Sequence, residues 1–111
     1  MRAPMDIHVV LCSCPDRGTA ERLAESLVRA GLAACASLVP GVRSVYRWEG
    51  RIETAEEVLL VLKTHASRVP ELTDRIREAH PYELPEVLAV QAAGGLPAYL
   101  AWVAEETRRS D

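Results

Sequence analysis

Four side chains in this sequence have the types and spacing that metal or thiol chemistry needs: Cys12, Cys14, His80 and Glu86. Cys12 and Cys14 alternate with Ser13 in an extended run, so both point to one face, where their sulfurs can approach each other as soft donors to copper or zinc. The same placement also suits two small side chains packed in a core, since free cysteine is among the most buried residue types. His80 and Glu86 bound the stretch HPYELPE. Its two prolines stiffen the backbone around an imidazole and a carboxylate able to hold a borderline ion such as Cu(II). Alternatively, His80 caps the preceding helix and Glu86 is a solvated or interfacial charge.

Other polar residues read differently. His8 is about 13 Å along the strand from Cys12 at the usual rise, too far to share one ion, and is read as structural. His65 is read as a polar loop residue. Tyr46, Trp48, Glu49 and Tyr82 suit either a cleft between subunits or the packing of an interface. No P-loop, dinucleotide fingerprint, nucleophile elbow or HExxH spacing occurs, and a Cys12-His80 dyad needs tertiary folding to form it, so no enzyme is expected.

The elements that position these residues follow from hydrophobic period and turn residues. Ile7 to Cys14 is a short apolar strand ended by Pro15-Asp16. Thr19 to Gly31 has apolar residues at Ala20, Leu23, Ala24, Leu27 and Val28, a helix with one buried stripe. Asp16 or Thr19 serves as its cap, and Gly31 closes it in the left-handed region. Ala33 to Thr64 reads as one long hairpin turning at Glu49-Gly50, with a bulge at Pro40-Gly41 on an edge. Ser67 to Ala79 is a second helix with Ser67 as N-cap and Pro70 in its first turn. Val87 to Ala93 is a fourth strand, Leu96 to Val103 a last short helix, and Glu105 to Asp111 a fraying polar tail. The order β-α-β-β-α-β plus a helix is the ferredoxin-like α+β arrangement: a four-stranded antiparallel sheet with both main helices on one face.

The length of 111 residues bounds the chain to a single domain, and 49% hydrophobic with 26% charged residues is an ordinary globular composition. A net charge of -3 with scattered basic residues excludes the positive face that nucleic acid selects. No apolar run spans a bilayer and the N-terminus lacks an export core, so no membrane partner is expected and the expected compartment is the cytoplasm, with the three cysteines reduced. Helices on one face leave the other face of apolar strands bare, at roughly 1.5 to 3 kcal/mol for each side chain left uncovered. A closed homo-oligomer is the expected cover.

Taken together, LCSCPD at Leu11 to Asp16, GLAACASLVPGVRSVYRWEGRIE from Gly31 to Glu53, LKT at Leu62 to Thr64, HPYELPE at His80 to Glu86 and YLAWV at Tyr99 to Val103 resemble the CutA divalent-cation tolerance family over nearly the whole chain. The resemblance implies a compact homotrimer with hairpin strands paired around a three-fold axis, binding of copper or another divalent ion, and a link to metal tolerance. It also implies that the metal-associated thiol is Cys12. Some members carry a second histidine where this chain has Ala79, a donor fewer. The implied trimer is similar in architecture to the PII signalling proteins, which implies as an alternative a scaffold holding a small molecule or protein partner at subunit clefts. The expected ligand set is Cys12 and His80, with Glu86 a weaker member.

Overall fold

The turn at Glu49-Gly50 sets the shape of the molecule, in which the computed structural model describes residues 6–108. Glu49 (φ 51°) and Gly50 (φ 80°) are both left-handed, the pair of conformations whose twist matches that of the flanking strands. They join β2 (Cys35–Trp48) to β3 (Arg51–His65). β1 is Ile7–Cys14 and β4 is Leu88–Gln91. The helices are α1 (Arg17–Arg29), α2 (Val69–Ala79) and α3 (Pro97–Glu106). The sheet order is β2-β3-β1-β4, with every pairing antiparallel. The expected ferredoxin-like α+β fold is therefore observed.

The pairing slips between Val39 and Val42, where the intervening Gly41 is left-handed (φ 74°). Pro40 has no N–H to donate, and on this edge strand the missing bond costs little. β1 pairs β3 only from Val58 to His65. Arg51 to Glu57 therefore have β2 on one side and an open edge on the other, and the hairpin extends the molecule to 51 × 26 × 22 Å.

α1 starts earlier than its apolar stripe suggests, because the Asp16 carboxylate accepts the Thr19 N–H at 2.8 Å and caps the helix at Arg17. At its other end Gly31 (φ 73°) lets Leu32 N–H reach the Leu27 carbonyl at 2.9 Å. Ser67 is not the N-cap of α2. It lies within a 3-10 turn over Ala66–Arg68, capped by His65, whose Nδ1 accepts the Ser67 N–H at 3.1 Å. The fourth strand is shorter than expected, since its ladder with β1 ends at His8↔Gln91 and Leu11↔Leu88. α3 continues through Glu106, two residues into the expected tail, while residues 1–5 and 109–111 lie outside the described ones.

Alternation divides β1 and β3 between two faces. Val10, Cys12, Cys14, Val58, Leu60 and Leu62 pack against Leu23 and Leu27 of α1 and Leu72 and Ile76 of α2. The opposite face carries Leu11 and Leu59, half-buried, and Leu88 and Val90, which are 56% and 52% exposed. Tyr99 of α3 meets Cys35 at one end of that second face. Leu60 is fully buried in the middle of the core. Leu60→Ala should cost about 2–5 kcal/mol by lost transfer energy and a residual cavity, read as a lowered urea midpoint at unchanged slope.

Candidate metal centre and adjoining cleft

The end of β1 carries chemistry on both of its faces. On the core face, Cys12, Cys14 and His80 each offer one ligand atom, and these atoms lie within 4.8 Å of one another, all three residues buried. Strand alternation aligns the two thiols. The imidazole arrives from the chain end of α2, where His80 N–H still donates to the Ile76 carbonyl at 2.8 Å.

The His80 ring is fixed at both nitrogens. Nε2 lies 2.8 Å from the Ser13 carbonyl oxygen, which only accepts, so Nε2 carries the proton. Nδ1 then accepts the Tyr82 N–H at 3.1 Å. The imidazole thereby ties the start of the 80–86 loop to β1. The Cys12 thiol is raised well above its ordinary pKa by its hydrogen bond to Cys14 and by burial, while the same bond lowers Cys14 as the acceptor.

Glu86 is not part of this group. Its Oε1 accepts a hydrogen bond from the Ser13 hydroxyl at 3.0 Å, and Ser13 alternates away from Cys12 and Cys14. That face forms a cleft of about 620 Å³ lined by Ser13, Tyr46, Trp48, Glu57, Tyr82 and Glu86, among others. The Tyr82 hydroxyl donates to Glu57 Oε2 at 2.7 Å. Burial first, and then this bond, raise the Tyr82 phenol above its ordinary range. Tyr46, Trp48 and Tyr82, expected near a cleft, do line one within a single chain, whereas Glu49 stays at the hairpin turn.

His8 sits apart from the thiols, with Nε2 3.3 Å from Asp6. Cys14, a candidate donor beside Cys12 but outside the expected ligand set, joins the cluster, whereas Ser13 and Glu57 carry no signal of a role in the sequence. Parity counted back from the apolar Val58 places Glu57 on the face opposite the core, but which loop meets it there is a long-range fact.

The fold and site define a ferredoxin-like α+β protein with a buried donor cluster of two thiols and one imidazole. Its relatives give that class a family. Residues 8–106 match the CutA1 divalent ion tolerance protein family, and the chain belongs to it. It is 43% identical over 98 residues to the divalent-cation tolerance protein CutA of Pectobacterium atrosepticum, covering 88% of this chain and 89% of that one. Identity to protein CutA of Mus musculus is 41% over 104 residues, 94% of this chain, although the chain spans 59% of the mouse protein's length. The crystal structure of CutA from Xylella fastidiosa superposes with a TM-score of 0.89 at 44% identity, over 92% of this chain and 98% of that one.

The raised Tyr82 pKa has a definite sign. Its stabilisation is whole below about pH 10, the unfolded value, and is lost as pH rises toward the higher folded value. Tyr82→Phe should therefore show a urea midpoint that falls less steeply above about pH 10 than the parent's.

Proposed function

We propose that this protein is a homotrimeric copper-binding member of its family, acting in the cytoplasm as a binding protein and not as an enzyme. The observation that carries the reading is the buried convergence of Cys12, Cys14 and His80. Two sulfurs and an imidazole suit a soft or borderline ion, Cu(I) above all, and suit hard ions poorly. Copper held there would be kept from reaction in solution. The relatives' names, which speak of divalent-cation tolerance, support a role with metal ions.

The site's own residues set terms for loading. One or both thiols must lose a proton. His80 must give up either the Ser13 carbonyl or the Tyr82 N–H before it can donate to an ion. Glu86 remains with Ser13 on the other face, outside the proposed donor set.

Trimerisation is supported by the exposed Leu88 and Val90 and by the unpaired edge of Arg51 to Glu57. A second copy covers apolar surface at about 25 cal/mol per Å² and supplies partners for the open backbone.

Two measurements test this reading. In competition with a chromogenic Cu(I) chelator under reducing conditions, Cys12→Ser with Cys14→Ser should weaken binding at least about tenfold, and His80→Gln should weaken it by a smaller factor. Unchanged affinity in the double variant defeats the site. Sedimentation at micromolar concentration should give a species of about 37 kDa, three copies of 12.2 kDa, and Val90→Glu should shift it downward. A wild-type sample that sediments only as the single copy defeats the assembly.

A further inference from the structure

The cleft on the second face contains an electrostatic imbalance that the described residues of one chain leave open. Glu57 is 8% exposed, yet its hydrogen-bond partner is the neutral Tyr82 hydroxyl on Oε2, and among the described residues it forms no ion pair. Glu86 has the Ser13 hydroxyl and likewise no ion pair, and Glu83 adds a third carboxylate to the lining. Arg47 also lines the cleft, but among the described residues it forms no ion pair with any of them. A carboxylate withdrawn from water costs several kcal/mol unless a counter-charge meets it. The cleft therefore favours a positive occupant.

Its walls narrow the class. Tyr46, Trp48 and Tyr82 present aromatic surface beside the carboxylates, the combination that holds ammonium and guanidinium groups by their charge and by the ring faces. The volume, about 620 Å³, is that of a small-molecule site and far exceeds what a bare ion fills. The frame is also set in advance. Glu57 stands on β3, and the Tyr82–Glu57 and His80–Ser13 bonds hold the loop that carries Tyr82 and Glu86. A ligand entering it has little of the loop left to order.

We propose that this cleft binds a small organic cation, a primary amine or guanidinium compound, with Glu57 as the buried counter-charge, Glu86 as a second one at the rim, and Tyr46, Trp48 and Tyr82 as its walls. The site is distinct from the thiol and imidazole centre, and it gives the small-molecule alternative a chemical class.

The test uses the full chain in its native assembly, with Trp102→Phe so that Trp48 is the sole indole. Agmatine, putrescine and tetramethylammonium are titrated at constant ionic strength, beside acetate and magnesium as controls. Trp48 fluorescence should change saturably with at least one organic cation, and the melting midpoint should rise with it by mass action. Glu57→Gln, which keeps an acceptor for Tyr82, and Glu86→Gln should each weaken that binding at least threefold, and together at least tenfold. Cys12→Ser with Cys14→Ser should leave it unchanged, which separates this outcome from the fate of the copper reading. The proposal is overturned if none of the three cations perturbs Trp48, as when a neighbouring subunit's side chain fills the cleft. It is equally overturned if the response survives both glutamine variants or is reproduced by magnesium alone.

Discussion

The imidazole of His80, held between the Ser13 carbonyl and the Tyr82 amide, is the contact on which the functional end of this molecule depends. It lies at the close of α2, where the chain must leave the helix before Pro81. Because both ring nitrogens are engaged, the tautomer and ring orientation are fixed together. The backbone that follows inherits that orientation, which brings Tyr82 to Glu57 and Glu86 to Ser13.

From this anchor the two faces of a single strand acquire separate chemistries. Cys12 and Cys14 turn into the core with His80, in a dry and soft environment. Ser13 between them turns toward a cleft of carboxylates and aromatic rings. The imidazole touches both regions, since it lies beside the thiols and bonds the backbone of Ser13. Any proposed metal loading that recruits a ring nitrogen must therefore disturb the loop that shapes the cleft, so the two sites share a mechanical element without sharing a ligand set.

Packing explains why the single chain leaves so much unfinished. α1 and α2 cover one face of the sheet with well-buried leucines. The second face has α3 at one end and exposed aliphatic side chains along β4. The hairpin runs beyond β1 with an unpaired edge. Both features are costs for an isolated chain and both are removed by association, which is the physical basis of the proposed trimer.

Local signals in the sequence were sufficient for much of the architecture. Glu49-Gly50 supplied the turn, Pro40-Gly41 the bulge, Gly31 the helix stop, and the change between periods of two and of 3.6 residues separated strands from helices. Where a capping partner or ladder decides a boundary, those signals were less exact: Ser67 falls inside a 3-10 turn capped by His65, α2 starts after Arg68 with no side-chain cap, and β4 ends where its bonds to β1 end. Cys12, Cys14 and His80 were legible as candidates, whereas the convergence of all three, and the separation of Glu86 from them, came only from tertiary structure. The reason is physical. Side-chain direction along one strand follows from a period of two and can be read from the chain alone. Which loop closes over which face depends on contacts such as His80 to Ser13, whose partners are 67 residues apart and meet only when the sheet and helix have packed.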